Sequence, residues 1–397
     1  MRRRALIAVL LVAASLLVAP SRGLDASGTT VRQWQKGTWI VQLLSGTDVL
    51  GFLESKGIES DGVSVYGNVF TGFSGYFTSE EMGRISASSL FMTAEENQLI
   101  HAETTQTTGP VSTHLGDSNG VLPWGLDQID QRGGAVNGAY TYTAVGTGVK
   151  VYVLDTGVNS SHADFGARVA DGWSYRSDNG IRSRASTPGT TSYLGSCKSD
   201  NVAIGYRYDA NAHPYDVDTF DSTTDTNDLG KVDNEGHGTH VAGIIGGSLT
   251  GVAKNVTIVP VRILNSCGSG NLEMAIAGIN WILGDHSVSQ KAIVNMSIGF
   301  AGRPCLFERV IDGVAVPASS TVTCRTAPSN WLFNEGIVVV AAAGNSPSVD
   351  PCTTAPAGTP GTISVAATRS SMAESYYSAY GTCVDIFAPG GSGYTNG

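Results

Sequence analysis

Continuous apolar segments alternate with helical segments through the second half of this 397-residue sequence. Apolar runs without polar alternation are typical of parallel strands that are buried on both faces. Five such runs predict strands at 149–154, 257–264, 292–298, 336–343 and 362–367. Between them, the segments 237–246 and 272–283 have helical spacing. This order predicts an α/β domain in which helices cover both faces of a parallel sheet.

A smaller unit precedes that domain. Residues 37–102 read as strand, helix, strand, strand and helix, which predicts a small α+β domain. Residues 103–119 are rich in Thr, Gly and Ser, so we expect a linker there. The main domain then occupies residues 120–397. Within it, the acidic stretch 174–232 could be a cation-binding loop or a solvated insertion, and the insertion is favoured because its spacing fits no EF-hand loop.

The start of the chain predicts secretion. A basic run at 2–4, an apolar run at 5–19 and small residues up to Gly23 are typical of a signal peptide over residues 1–23. The alternative is a membrane anchor, but the apolar run is shorter than the ~20 residues that a spanning helix needs. The formal net charge of −10 argues against nucleic acid as a partner. We therefore expect an extracellular protein that binds neither nucleic acid nor membrane.

Secretion also decides how the six cysteines are interpreted. Their even number and an oxidising compartment predict three disulfides, for which the sequence alone allows about fifteen pairings. A bridge between Cys352 and Cys383 would close a loop of about 30 residues and contribute roughly 3–4 kcal/mol.

Three short motifs in the main domain carry chemistry. Asp155 follows four apolar residues, so it lies at the carboxyl end of a strand, where active sites of parallel sheets are found. His237 begins a predicted helix between Gly236 and Gly238. A serine nucleophile needs an imidazole to take its proton, and the imidazole needs a carboxylate to hold its tautomer. Asn345 follows another strand, where its amide could stabilise an oxyanion or simply form a turn.

An Asp after a strand, or a His at the start of a helix, has a structural role more often than a catalytic one when it occurs alone. A zinc site is not favoured, because the second histidine follows at i+3 without an intervening Glu. A nucleotide-binding domain is also weakly supported, since the Gly146-Thr147-Gly148 segment precedes its strand instead of following it.

Together, the motifs resemble those of the subtilisin family of serine proteases, and the main domain is most similar to the proteinase K branch. The blocks are VYVLDTGV at 151–158, EGHGTHVAG at 235–243, VVVAAAGN at 338–345 and WGLDQID at 124–130. The resemblance implies a subtilisin-like fold and assigns Asp155 and His237 to an Asp-His-Ser triad. It assigns Asn345 to the oxyanion hole.

The same resemblance implies how a substrate binds. Two segments would sandwich an extended peptide by strand addition, and a third would help to form the side-chain pocket. These residues are Gly268, Ser269, Gly270, Ser297, Ile298, Gly299, Ala342, Ala343 and Gly344. The pocket segments contain no acid, so we expect an apolar or aromatic P1 residue (the residue before the cleaved bond).

The small domain resembles the inhibitory propeptide of the family. That implies a tail at about 97–102 that lies in the cleft, with self-cleavage between about residues 102 and 119. We therefore expect a monomer whose partners are protein or peptide substrates and its own propeptide.

Calcium and disulfides are also implied by the resemblance. Asp385 with the carbonyls of Pro360 and Thr362 matches a calcium site of the proteinase K branch, and a salt-bridged surface Asp is the alternative. Cys352 and Cys383 match a disulfide of a thermophilic member. The remaining cysteines would then pair as Cys197 with Cys267 and Cys305 with Cys324, the latter closing a local loop.

The nucleophile motif of the family, Gly-Thr-Ser-Met-Ala, does not occur in the sequence. Residues 394–397 are similar to the approach to it, so we expect the serine beyond residue 397. Loss of this nucleophile lowers turnover about 10⁶-fold, so the 397 residues alone should be inactive. In the family the serine opens a long helix, so we also expect one face of the sheet to be uncovered and this chain alone to fold poorly.

Two functions remain open on this reading. The favoured one is the precursor of a secreted serine endopeptidase. The alternative is a catalytically incomplete relative that binds peptides or acts as an inhibitor.

Overall fold

The computed structural model describes residues 23–24, 30–31, 35–102, 123–130, 137–175, 229–264, 268–313 and 330–391. Strands in these residues are β1 (Gly23–Leu24), β2 (Thr30–Val31), β3 (Gly37–Leu43), β4 (Ser64–Tyr66), β5 (Gly72–Phe77), β6 (Phe91–Glu96), β7 (Leu99–Ala102), β8 (Val149–Asp155), β9 (Trp173–Ser174), β10 (Thr257–Arg262), β11 (Ser269–Asn271), β12 (Lys291–Met296), β13 (Ile298–Gly299), β14 (Val338–Ala342), β15 (Ile363–Thr368) and β16 (Ile386–Pro389). Helices are α1 (Val49–Ser55), α2 (Ser79–Ser86), α3 (Trp124–Ile129), α4 (His237–Gly246), α5 (Leu272–Asp285) and α6 (Cys305–Asp312), with short 3₁₀ turns at Leu332–Glu335 and Pro351–Thr353.

The small unit is an antiparallel sheet in the order β4-β5-β3-β6, covered on one face by α1 and α2. Both helices begin at capped residues. The Asp48 carboxylate accepts the N–H of Gly51, and Thr78 forms a capping box with Glu81. The predicted strand–helix–strand–strand–helix order is present. It continues into β6 and β7, which the sequence analysis did not predict.

The large unit contains a seven-stranded parallel sheet in the order β16-β15-β14-β12-β8-β10-β9. Helices α5 and α6 pack on one face, against buried residues such as Tyr152, Val294 and Val339. Helix α4 packs on the other face, against Val151 and Val153. The predicted α/β fold with helices on both faces is confirmed.

Among the described residues, helix cover is incomplete on the sheet face against which α4 packs. Helix α4 lies over β8 and β10. On the same face, three side chains of neighbouring strands are exposed: Val338 on β14 (44%), Ile363 on β15 (39%) and Ile386 on β16 (54%). Three aliphatic side chains on adjacent strands are thus open to solvent on this face.

The small unit docks on the N-terminal ends of α5 and α6. Glu95 accepts the backbone N–H groups of Cys305 and Leu306 at 2.9 and 2.7 Å. Asn97 accepts the N–H of Glu273 at 2.9 Å. These acceptors satisfy backbone donors that the first turn of a helix leaves unpaired, and the Glu95 carboxylate also places negative charge at the positive end of α6.

A second set of polar contacts joins the two units through the side chains of Glu273 and Asn280 on α5. The Glu273 carboxylate accepts the hydroxyls of Ser64 and Ser74 at 2.9 and 2.7 Å. The Asn280 side-chain oxygen accepts the backbone N–H groups of residues 67–69 at 2.9–3.3 Å. The two units therefore share an interface with paired polar groups at its centre.

The cysteines agree in part with expectation. The Cys352–Cys383 disulfide is present, with a Cα–Cα distance of 5.2 Å. Cys305 is disulfide-bonded as well. It begins α6, whose side chains are largely buried. Cys197, Cys267 and Cys324 lie outside the described residues.

Several predicted segments also fall outside the description. They include most of the signal peptide, the linker at 103–119 and residues 176–228 of the acidic stretch. Across the described ranges, no helix combines the length and apolar character that a membrane crossing requires.

Candidate active site

Asp155 and His237 meet at the carboxyl end of the large sheet. Asp155 is the last residue of β8 and is fully buried, whereas His237 is the first residue of α4. The imidazole Nδ1 lies 2.7 Å from Asp155 Oδ1. An ionised carboxylate only accepts hydrogen bonds, so Nδ1–H donates and Nε2 is left to accept a proton. This is the orientation that a general base requires.

Glycines allow this close approach. Gly157 has a φ of +106° and Gly236, which precedes α4, has a φ of +107°. A side chain on Gly238 would overlap the carbonyl oxygen of Gly157 and lie 3.1 Å from Asp155 Cβ. Gly238 therefore lets α4 pack against the end of β8.

Asp233 connects the segments that carry Asp155 and His237. Its carboxylate accepts the hydroxyl of Thr156 at 2.9 Å and the N–H groups of Glu235 and Gly236 at 3.1 and 2.8 Å. It also accepts the N–H and hydroxyl of Thr239 at 2.9 and 2.6 Å. The hydrogen bond from Thr156, the residue after Asp155, ties the end of β8 to the first turn of α4.

The electrostatics favour a charged imidazole. Burial lowers the pKa of His237, but the hydrogen bond and negative charge of Asp155, together with the charges of Glu235 and Asp233, outweigh burial. The pKa of His237 is therefore raised above its ordinary value of 6.5. Glu235 contributes at short range, since its Oε2 accepts the N–H of His237 at 2.6 Å.

Asn345 lies two strands from Asp155, at the same edge of the sheet. It follows β14 and Gly344, whose φ of +112° turns the chain. Asn345 lines a cavity of about 340 Å³ together with Ala342, Ala343 and Gly344. The other lining residues are mostly small or apolar: His101, Ala102, Ile298, Gly299, Phe300, Ala301, Ser346, Val349, Thr354, Ala355, Ala357 and Ala379.

The two predicted peptide-binding segments are occupied by the chain itself. Strand β7 lies between β11 and β13 and is antiparallel to both. Ser269, Gly270 and Asn271 pair with β7 on one side, and Ile298 and Gly299 pair with it on the other. This is strand addition, in which main-chain hydrogen bonds hold an extended segment in a cleft.

The register of β7 fixes where its side chains lie. Ile100 is fully buried in the main core, opposite Gly270. His101 Nδ1 lies 3.2 Å from the Ser269 hydroxyl. The Ala102 N–H donates to the carbonyl of Gly268 at 2.8 Å. The strand thus ends beside the cavity that Asn345 lines.

The predicted calcium ligands lie in one region. Asp385 Oδ2 accepts the N–H of Ser364 on β15 at 2.8 Å. Pro360 and Thr362 belong to the turn just before β15, where the Thr362 N–H donates to Thr359. Carbonyl and carboxylate oxygens suit a hard cation. No cluster of three or more His, Cys, Asp or Glu that could hold a metal occurs in the described ranges, so a cation here would depend on the carbonyls.

Sequence reasoning did not find Thr156, Asp233 and Glu235. A partial signal for Asp233 is present, because an Asp a few residues before a predicted helix can accept the backbone N–H groups of its first turn. Its link to Thr156 could not be read from the sequence, since the two residues are 77 positions apart.

Comparison with known proteins agrees with this geometry. A profile of the subtilase family matches residues 146–397. An extracellular serine proteinase from Thermus sp. (strain Rt41A) is 36% identical over 269 residues, which cover 68% of this chain and 48% of that protein. Alkaline serine exoprotease A from Vibrio alginolyticus is 31% identical over 327 residues, which cover 82% of this chain and 47% of that protein. The chain spans about half the length of these curated relatives.

A solved structure of a cold-adapted subtilisin-like serine proteinase is also similar. It has a TM-score of 0.48 and 34% sequence identity, over 68% of this chain and 73% of that one.

Proposed function

Since the chain belongs to the subtilase family, we propose that it is the precursor of a secreted serine endopeptidase. The hydrogen bond of 2.7 Å between His237 Nδ1 and buried Asp155 carries this proposal. A histidine with a purely structural role would not require this arrangement, in which one ring nitrogen is bonded to a buried carboxylate and the other is left to accept a proton.

The proposed mechanism follows from that tautomer. His237 Nε2 takes the proton of a serine hydroxyl as the serine attacks the peptide carbonyl, and later delivers the proton to the leaving amine. Asp155 stabilises the imidazolium that forms between these steps, consistent with the raised pKa of His237. The Asn345 amide donates to the oxyanion, an interaction that contributes about 10²–10³ in rate in such enzymes.

The proposal assigns the nucleophile to a serine outside residues 1–397, because the family's nucleophile motif is absent from them. The substrate would bind as β7 binds, between β11 and β13. Its P1 side chain would enter the cavity of about 340 Å³. Because no acidic residue occurs among the described residues that line this cavity, we propose an apolar or aromatic P1 residue.

Residues 37–102 act in this proposal as an inhibitory propeptide. The support is the position of β7, which occupies the cleft that a substrate needs. The polar contacts of Glu95 and Asn97 with α6 and α5 add a second attachment away from the cleft. The same position of β7 favours the alternative function, a catalytically incomplete peptide-binding protein.

We also propose a structural calcium ion held by Asp385 and the carbonyls of Pro360 and Thr362. The supporting observation is that the three residues lie around the start of β15 and that all of their potential metal-ligating atoms are oxygens. Calcium should then raise the melting temperature of the protein, and Asp385→Asn should remove that increase. An equal increase in both proteins would refute the site.

Peptide hydrolysis tests the main proposal. The secreted protein, purified from culture, should cleave a denatured protein substrate, and His237→Ala should reduce kcat by several orders of magnitude. His240→Ala is the matched control, because it changes a neighbouring histidine on the same helix. Absence of hydrolysis, with retained binding of extended peptides, would instead support the peptide-binding alternative.

A further inference from the structure

Glu235 lies between the catalytic histidine and the end of strand β7. A carbon atom built as a side chain on Gly268 would lie 3.9 Å from Oε1 of Glu235 and 3.5 Å from Cβ of Ala102. The carboxylate and the Ala102 side chain therefore flank the same point above Gly268. Gly268 itself has a φ of +67°, a backbone conformation that favours glycine and leaves this point empty.

One oxygen of Glu235 is anchored. Oε2 accepts the N–H of His237 at 2.6 Å, which fixes the carboxylate on its loop. The N–H of Glu235 is held in turn by Asp233 at 3.1 Å. Oε1 and the carboxyl carbon both lie 3.9 Å from the carbon position above Gly268. Because Oε2 is already held, pairing of Oε1 with a cation would cost little side-chain entropy.

We propose that Glu235 selects substrates that carry Lys or Arg at the position occupied by Ala102. The inference rests on the function proposed above and adds a specificity determinant to it. A methyl group at this position makes no use of the negative charge, whereas a cationic group on a flexible stem would reach Oε1 and form a charge-assisted hydrogen bond. The described residues that line the adjacent cavity include no acid, so they do not compete for the cation.

The chain's own tail avoids this contact, since residue 102 is an alanine. A substrate with a cation at this position would thus compete with the tail through an interaction that the tail lacks. Ion pairs at partly exposed sites change affinity modestly, and we expect a preference of about fivefold. Such a preference weakens with salt, because the pair is accessible to solvent.

Two peptides test the proposal on the secreted protein. They differ only at the position equivalent to Ala102, which is lysine in one and norleucine in the other, so that stem length is matched. The ratio of their kcat/KM values should be about five at low salt and approach one at high salt. In Glu235→Gln the ratio should be about one, while the amide oxygen can still accept the N–H of His237. Any change in the His237 pKa affects both peptides and cancels in the ratio.

A second arm does not need hydrolysis. In the full chain, Ala102→Lys should slow amide hydrogen exchange at residue 102 about fivefold relative to Ala102→Met, and Glu235→Gln should abolish that difference. If no peptide is cleaved but the exchange difference appears, the proposed peptidase function fails and the specificity of the cleft stands. If peptides are cleaved with equal kcat/KM, or if the ratio survives in Glu235→Gln, the assignment of Glu235 is overturned.

Discussion

Asp233 provides the sharpest test of how the site is held together. Its carboxylate accepts five hydrogen bonds at 2.6–3.1 Å, from two hydroxyls and three backbone N–H groups. Asp233→Ala removes all of these acceptors at once. The end of β8 and the first turn of α4 would then lose their shared polar link.

The size of the effect follows from these contacts. Loss of a capping side chain costs about 0.5–2 kcal/mol, and a hydrogen bond to a charged acceptor contributes about 1.5–3 kcal/mol. The five bonds share one carboxylate in a partly exposed loop, where water replaces some of them, so they do not add. We expect Asp233→Ala to lower the free energy of unfolding by roughly 2–4 kcal/mol. It should also lower the pKa of His237, because it removes one of the charges that raise it.

Denaturant unfolding and a proton NMR titration of His237 measure the two quantities. Asp171→Ala is the control, since Asp171 pairs with Lys231 through a side chain that is 72% exposed and should matter little. Asp233→Asn should lower the His237 pKa with a smaller loss of stability, because it keeps the shape and one acceptor. An unchanged His237 pKa and a loss of stability no larger than that of Asp171→Ala would refute the role of Asp233.

Three further predictions concern the same region and the sheet edge. The pKa of His237 is raised, so its charged form contributes stability fully below the ordinary value near 6.5 and loses it as pH rises through the folded-state pKa; an NMR midpoint at or below 6.5 would contradict this. Gly238→Ala should destabilise the fold by about 1–3 kcal/mol, because the new methyl overlaps the carbonyl of Gly157; unchanged unfolding would show that α4 shifts freely. Replacing Cys352 and Cys383 by Ser removes a bridge between residues 31 apart and should cost about 3–4 kcal/mol, measured under oxidising conditions. A loss below about 1 kcal/mol would contradict the chain-entropy reasoning.

The sequence predicted the large sheet well because its strands carry uninterrupted apolar runs. Helix α4 begins at His237 and ends at Gly246, as predicted, since glycine and the apolar spacing mark both ends. The family resemblance implied a tail at about 97–102 in the cleft, but the sequence did not predict that this tail forms strand β7, for a physical reason. It is held between β11 and β13, which are distant in sequence, and nothing in its own four residues demands a strand.

The site was predicted to a similar extent. Asp155, His237 and Asn345 each follow or begin a recognisable element, so their approximate positions could be read from the chain. The need for a glycine at position 238 could not be read from the chain, because it depends on how closely α4 approaches β8 in three dimensions. Asp233 and Glu235 act through short contacts with residues on other segments, and single-sequence patterns do not encode such contacts.

We propose that Asp155 and His237 activate a serine. A fluorophosphonate probe, which reacts with activated serines, can be applied to the purified protein. We predict that the probe labels one serine, located by mass spectrometry of the labelled peptide, and that His237→Ala abolishes labelling. A protein that hydrolyses peptides but is not labelled, or whose labelling persists in His237→Ala, would contradict the account.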